Sequence, residues 1–301
     1  MIDPLAEMVT LLQPGAPSSK LVSARGPWRV RRSKAGEVFY CVMLDGTSRL
    51  AAADHRPLEL GKGDFVLVPS AYDFTASSLE PAAEDTPPVA RPNGEFRLGV
   101  QRGPPDVRML LGHCTFGSPD AALLVSLLPR LVHLRDQRRL GTLVELLREE
   151  SRERRPARDV VLSRLLEVLL IEALRSSAGT GPSSGLLGGL ADERIGAAIR
   201  RMHERPTKPW TVAQLAKEAA LSRSTFFERF NGSVGVAPME YLLGWRMALA
   251  KDLLRRRDMT VGEVAEQVGY SSASTFSVAF TRHVGLPPKH YARRQAESPK
   301  P

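Results

Sequence analysis

Cysteine is nearly absent from this 301-residue chain, which holds only Cys41 and Cys114. Two cysteines cannot form the framework of bridges that small secreted domains use, nor a Cys-rich tetrahedral zinc site. Histidine is sparse as well. His55, His113, His133, His203, His283 and His290 are scattered, and no Ser/His/Asp or Cys/His spacing suggests a nucleophile with its base. Long apolar runs are missing; none approaches the ~20 residues of a membrane-spanning helix. The opening stretch, MIDPLAEMVTLLQPG, carries Asp3 and Glu7 and no basic segment, so it reads as a short amphipathic helix rather than a secretory signal. These absences argue against a secreted scaffold, a membrane protein and an enzyme. They lead to the expectation of a cytoplasmic chain with no cofactor, no bound metal and no membrane partner.

What is present is basic charge, unevenly placed. Lys and Arg number 42 against 33 Asp and Glu, a net charge of +9. Residues 190–301 hold 18 of the basic and 11 of the acidic residues, so seven of the nine excess charges fall in the last third. A concentrated basic surplus is the electrostatic footprint of a phosphate-backbone partner.

The same third contains one pattern written twice. The first copy runs Thr211-Val212, Leu215-Ala216, Ala220-Leu221-Ser222, Ser224-Thr225-Phe226, Phe230, Gly235, Pro238, Tyr241. The second runs Thr260-Val261, Val264-Ala265, Gly269-Tyr270-Ser271, Ser274-Thr275-Phe276, Phe280, Gly285, Pro288, Tyr291. Each copy reads as a helix-turn-helix. Thr211 or Thr260 caps the first helix, and small Ala216 or Ala265 allows a close crossing. Ala220 or Gly269 occupies the sharp turn, where glycine is the easier residue. Ser222, and Ser271 or Ser272, can cap the second helix. Phe226/Phe230 and Phe276/Phe280 are i,i+4 pairs that bury one of its faces and leave the other outward. Pro238–Arg257 reads as a long helix joining the modules.

On these residues, and above all on Val264-Ala265, Val268-Gly269-Tyr270, Ser274-Thr275-Phe276, Phe280 and Gly285-Leu286-Pro287-Pro288-Lys289-His290-Tyr291, residues 192–294 resemble the DNA-binding domain of the AraC/XylS transcription regulators. The resemblance implies double-stranded DNA as partner, a homodimer, a small-molecule effector, and action upon RNA polymerase. It also implies which side chains face DNA. In the first reading helix they are Ser224, Phe227, Glu228 and Asn231. In the second they are Ser274, Ser277, Val278 and Thr281, with Arg282 at the flank. Many relatives carry arginine near the positions of Glu228 and Val278. Here Glu228 could accept from cytosine N4, and Val278 or Phe227 could touch a thymine methyl. Arg223, Arg229, Arg282 and Lys289 have the charge and reach for phosphate.

The N-terminal half alternates short strand-like runs with turns. Trp28–Arg31, Val38–Leu44, Ser48–Ala51, Phe65–Pro69, Phe96–Gly99 and Val107–Phe116 are strand-like, and residues 76–95 read as a mobile loop. Leu60-Gly61-Lys62-Gly63-Asp64-Phe65-Val66-Leu67-Val68-Pro69 resembles the strand-turn of cupin-type barrels. The residues from Phe39 to Gly46 include no histidine, and Phe74 stands where a metal-binding cupin often has one. The pocket is therefore expected to be apolar and metal-free. Helical spacing follows at Ala121–Leu128, Gly141–Arg154 and Ala157–Ser176; the last is apolar nearly all round, so it packs against the barrel or, as the family resemblance implies, forms a dimer seam.

The expected fold is α+β: an N-terminal cupin-like β-barrel with C-terminal helices, then an all-α DNA-binding domain of two helix-turn-helix modules joined by a long helix. The expected divisions are a sensor domain at 1–118, a dimerisation segment at 119–175, a flexible linker at 176–189 and a DNA-binding domain at 190–294. Its helix-turn-helix elements should lie at 211–232 and 261–283. Two other readings stay open. One is a thiol-redox regulator in which Cys41 and Cys114 pair on oxidation; the other is a cupin-type enzyme.

Overall fold

The computed structural model describes residues 3–32, 38–52, 56–69, 73–118, 121–153, 155–177, 185–256 and 258–297. The chain divides into two compact units, one of Leu12–Gly181 and one of Met1–Leu11 with Pro182–Pro301. After a short helix, α1 (Pro4–Leu12), come the strands β1 (Pro14–Arg25), β2 (Arg29–Arg32), β3 (Val38–Asp45), β4 (Ser48–Ala52), β5 (Leu58–Leu60), β6 (Phe65–Val68), β7 (Phe74–Ser77), β8 (Val89–Ala90), β9 (Phe96–Gly99) and β10 (Val107–Phe116). Helix α2 (Ala121–Ser126), strand β11 (Val132–Leu134) and helices α3 (Arg138–Arg152) and α4 (Arg158–Ser177) complete this unit.

Among the described residues the strands form two sheets rather than a closed barrel. One has the order β11-β6-β3-β10-β1-β9-β8 and the other β2-β7-β4-β5. Residues of both enclose a single cluster that includes Trp28, Phe39, Leu50, Val66, Phe74 and Met109. Strand β3 is buried from Val38 to Met43. Phe39, Cys41 and Met43 join that cluster, while Val42 on the other face lies beneath Gly141 of α3, where an added Cβ would be 3.8 Å from it. A strand covered on both faces has no polar side, hence its unbroken apolar run. The turn expected between Gly61 and Asp64 is present. The Asp64 carboxylate accepts from the Gly61 N–H at 3.0 Å and lies 3.1 Å from His133 Nε2.

Strand β1 was not legible in advance. Its sequence, PGAPSSKLVSAR, has two prolines and little alternation, yet it pairs with both β10 and β9. The ladder to β10 shifts register between Gly15 and Ser18, across Pro17, so the residue lacking an N–H falls at an irregularity. Within the stretch read as a loop at 76–95, Val89–Ala90 forms the short edge strand β8.

Helix α4 buries Leu162, Leu166, Leu169, Leu170, Ala173 and Leu174, but leaves Val160, Val161 and Val168 exposed. Val161, half-buried Leu165 and Val168 stand at i, i+4 and i+7, so they form one apolar stripe on the outer side.

The second unit contains α5 (Leu186–Ala191), α6 (Glu193–Glu204), α7 (Val212–Glu218), α8 (Arg223–Val234), α9 (Pro238–Arg256), α10 (Val261–Gln267), α11 (Ala273–Val284) and α12 (Pro288–Glu297). The stretch 176–189 is not linker throughout. Helix α4 runs to Ser177 and α5 begins at Leu186, while residues 178–184 lie outside the described residues. Helix α5 forms despite its glycines because Leu186 and Leu187 are buried, and Gly189 permits close packing. A Cβ there would stand 2.6 Å from Ile199 Cδ1 and 2.7 Å from Val234 Cγ2.

The two modules repeat their local chemistry in detail. Thr211 with Gln214, and Thr260 with Glu263, form reciprocal capping boxes. Ser222 and Ser272 cap the second helices, each accepting from a backbone N–H three residues on at 3.2 Å. Gly235 and Gly285 end those helices at φ +84° and +82°. The turns sit at Ala220, φ +52°, and Gly269, φ +83°. An L-residue in the left-handed region costs about 1–2 kcal/mol. Ala220→Gly is therefore expected to stabilise the protein by about 0.5–1 kcal/mol, after allowing for glycine's greater freedom in the unfolded chain. Denaturant unfolding of the two proteins checks it; a less stable variant would contradict it.

Helix α1 groups with this unit, where Glu7 makes a buried polar link. His203 Nδ1 lies 2.8 Å from Glu7 Oε2, and Nε2 lies 2.8 Å from Tyr241 Oη. The ring also stacks on Trp245 at 3.9 Å between centroids. A carboxylate only accepts, so Nδ1–H donates to Glu7 and Nε2 accepts from the Tyr241 hydroxyl. That is the neutral ring. Burial pushes the His203 pKa below its ordinary value, against the opposing pull of Glu7. The unfolded state therefore binds a proton more readily than the folded one, and stability from this site falls as pH drops below about 6.5. Melting temperature measured from pH 8 to 5 should decline more steeply for the natural protein than for His203→Gln.

Candidate nucleic-acid interface and sensor cavity

The outward faces of α8 and α11 are set by the rings they bury. Phe226 and Phe230 are fully buried in α8, their rings 5.6 Å apart, and Phe280 and Phe276 in α11 are 5.4 Å apart. With those positions inward, Arg223, Ser224, Phe227, Glu228, Arg229 and Asn231 of α8 are all exposed. In α11, Ser274, Val278 and Arg282 are exposed while Ser277 and Thr281 are partly covered; Lys289 of α12 is exposed. Two apolar side chains stand out. Phe227 is 44% and Val278 71% accessible, each on the outer face of a second helix-turn-helix helix. Apolar residues so exposed on an otherwise polar face are what contact with a partner would cover.

Several of these side chains already have partners in the chain. The Arg229 guanidinium pairs with the Asp192 carboxylate, which also caps α6 by accepting from Arg194 and Ile195 N–H at 3.0 and 3.2 Å. Partial burial would raise the Asp192 pKa, but Arg229 and these backbone donors hold it below the usual carboxylate value. Arg229 is thus a structural cation tying α8 to α6, and reaching a phosphate would require breaking that pair. Ser277 and Thr281 turn their hydroxyls back onto the Ala273 and Ser277 carbonyls at 2.6 and 2.7 Å, and the Ser224 hydroxyl lies 3.2 Å from that of Ser222. Among the described residues no ion pair engages Arg223, Glu228, Arg282 or Lys289.

Arg246 of α9, which the sequence places among the solvated residues of the long helix, is instead partly buried and engaged with backbone. Its guanidinium donates to the Pro206 carbonyl at 2.7 Å and the Lys208 carbonyl at 2.8 Å. Burial lowers its pKa from the ordinary value. The signal was available: an arginine flanked by packed Trp245 and Met247 has to satisfy its donors on something nearby.

In the N-terminal unit the space between the sheets is a cavity with a mostly apolar wall, open at one side and about 900 Å³ counted out to its mouth. Among the described residues no group of three or more His, Cys, Asp or Glu is arranged to hold a metal ion. Cys41 and Cys114 are both buried, and burial raises each thiol to about 12, far from a reactive thiolate. Cys114 stands opposite Val38 in the ladder, so the two share a face; Cys41, three residues from Val38, is on the other. The alternative in which these thiols pair finds no support in this register, because the sheet itself lies between them.

Comparison with known proteins adds three kinds of likeness. A cupin family model matches residues 3–179, and a helix-turn-helix domain model matches residues 215–294. A putative AraC-like transcription regulator of Streptomyces lividans is 33% identical, over 97% of this chain and 98% of its own. The HTH-type transcriptional regulator AlkR of Acinetobacter baylyi is 28% identical, over 91% and 93%. Among solved structures, ToxT of Vibrio cholerae covers 93% of this chain and 98% of its own at 13% identity, with a TM-score of 0.37.

Proposed function

The chain belongs to the AraC-like transcription regulators, DNA-binding proteins built here from a cupin-type domain and a tandem helix-turn-helix domain, and on that premise we propose that it works as an effector-responsive homodimer in the cytoplasm. The observation that carries the reading is the duplicated module with two outward helices of unlike chemistry. In α8, Glu228 reads a cytosine amino group and Phe227 packs on a thymine methyl, with Asn231 alongside. In α11, Val278 takes a second methyl contact. Arg223, Arg282 and Lys289 neutralise phosphates. The N-terminal cavity holds the effector. The divisions at 1–118, 119–175 and 190–294 serve sensing, dimerisation and DNA binding, except that α1 works with the DNA-binding unit. The relatives are transcription regulators, and no described helix is long and apolar enough to cross a membrane.

The α4 stripe of Val161, Leu165 and Val168 supports the dimer. Exposed valines in a row are covered when two copies pack this helix symmetrically. A dimer would also present two DNA-binding domains to spaced half-sites.

Genomic DNA-affinity sequencing with the purified full-length protein tests the reading. One motif in two copies at fixed spacing is the expected result; recovery without sequence preference would overturn it. Glu228→Ala should lose discrimination at one C·G pair by about 1–3 kcal/mol while keeping overall affinity for the remaining motif. Val161→Glu with Val168→Glu should convert the dimer to a monomer by light scattering.

A further inference from the structure

Helix α9 serves two cores in turn, and one side chain stands at the handover. Tyr241 packs edge-on to Phe230 at 5.8 Å and Trp245 stacks on His203 at 3.9 Å, so the first half of α9 packs with α6 and the first module. Met247, Ala250 and Leu254 join the cluster of Val264, Phe276 and Phe280, so the second half belongs to the second module. Arg246 lies between them. Its guanidinium donates through Nε to the Pro206 carbonyl and through Nη2 to the Lys208 carbonyl, both in the loop that leads from α6 to the Thr211 cap of α7. The Lys208 carbonyl also accepts from the Trp210 N–H at 2.8 Å, and the Trp210 ring N–H donates to the Arg205 carbonyl at 3.0 Å, so this loop is tied on both sides. The same Nη2 lies against the turn of the second module, 2.9 Å from where a Cβ on Gly269 would stand. Tyr270 follows that turn. The Arg246 charge reaches it, opposing the rise in pKa that burial causes, and its ring meets Phe276 of α11 edge-on at 5.5 Å. One guanidinium therefore touches the entry to the first module and the turn of the second, one ring away from the core of an outward-facing helix.

We propose that Arg246 is a positioning residue: it fixes the separation and angle of α8 and α11, and so decides which spacing between two DNA elements the protein accepts. The proposal rests on the reading of both helices as base-reading. For stability alone an apolar side chain would serve better here. Arg246 is half-buried, burial lowers its pKa, and among the described residues no carboxylate pairs with it. Taking a charge out of water is costly, and its return in stability is small beside that of an apolar residue of similar volume. The return in geometry is larger. Two donors of one planar fork hold two carbonyls in a single arrangement, where a lysine ammonium would swing about one of them. On DNA such an arrangement matters. Each base pair advances the groove by about 3.4 Å and turns it by about 35°, so two helices held rigidly fit one spacing and miss its neighbours.

The test is equilibrium binding of the full-length protein, by fluorescence anisotropy, to three duplexes. One is the half-site recovered by DNA-affinity sequencing; the others have one base pair inserted or removed between the parts protected by α8 and α11. The natural protein should bind the altered duplexes about tenfold or more weakly, since at least one base contact is lost. Arg246→Met keeps much of the side-chain length and loses the fork. It should reduce that ratio to about threefold or less, even where its affinity for the unaltered half-site falls. Arg246→Lys should lie between the two. A substitution that only loosened the fold would weaken binding to all three duplexes alike, so equal ratios in the natural protein and Arg246→Met would overturn the role of this residue. Should Arg246→Met fail to fold, the same ratio measured for Arg246→Gln takes its place. A natural protein indifferent to the added or missing pair would also overturn the proposal, because no fixed geometry would then be read. Recovery of no motif at all is a separate outcome: it would sink the reading of α8 and α11 as base-reading helices, and this proposal with it.

Discussion

Gly269→Ala is expected to destabilise the protein by about 2–5 kcal/mol and to abolish specific DNA binding at moderate temperature. Two separate costs add. The residue sits at φ +83°, where an L-side chain costs about 1–2 kcal/mol. Its Cβ would also lie 2.8 Å from the Thr207 carbonyl oxygen, 2.9 Å from that of Pro206 and 2.9 Å from an Arg246 nitrogen. Two of these neighbours are backbone and the third is held by the Pro206 and Lys208 carbonyls, so none yields cheaply, and overpacking adds about 1–3 kcal/mol. Gly285→Ala is the control. It has φ +82° with nothing within 4 Å of the added carbon, so only the conformational cost of about 1–2 kcal/mol applies. Denaturant unfolding of the two variants would separate the costs. Equal destabilisation would mean that the turn has room to relax.

Phe230→Ala and Phe280→Ala should each cost about 3–5 kcal/mol, as for other fully buried aromatic residues. Phe230 lies 5.6 Å from Phe226 and 5.8 Å edge-on to Tyr241; Phe280 lies 5.4 Å from Phe276 and 5.5 Å edge-on to Tyr291. The two sites are the same triad of rings built twice, so the losses should agree within about 1 kcal/mol. Protection of DNA should differ between them: Phe230→Ala should lose the half-site footprint of the first module and Phe280→Ala that of the second. Calorimetric unfolding paired with hydroxyl-radical footprinting reads both. Loss of the whole footprint in either variant would show that the modules cannot bind separately.

The DNA-binding unit was legible because its information is local. A cap, a turn residue and an i,i+4 aromatic pair each act within a few residues, and finding them twice in register removed the ambiguity of any one. The N-terminal unit was less so, because its order comes from distant partners. Strand β1 is extended because β10 and β9 flank it, against a sequence rich in proline and serine. Helix α5 exists because Gly189 lets it approach Ile199 and Val234, which composition alone presents as a flexible stretch. Among candidate site residues, the outward faces followed from helical geometry. The pairing of Arg229 with Asp192 did not, since it joins positions 37 residues apart. The separation of Cys41 from Cys114 needed the strand register, which single-sequence patterns leave open.

The link between Glu7 and His203 spans 196 positions of the chain. One consequence concerns time. At about 5–20 residues per second, α1 leaves the ribosome roughly 10–40 s before its partner has been made. During that interval the Glu7 carboxylate is without the His203 ring that later faces it. Folding of the DNA-binding unit therefore cannot finish within one continuous stretch of synthesis. A bulky fusion at the amino terminus should slow it, while one at the carboxyl terminus should not.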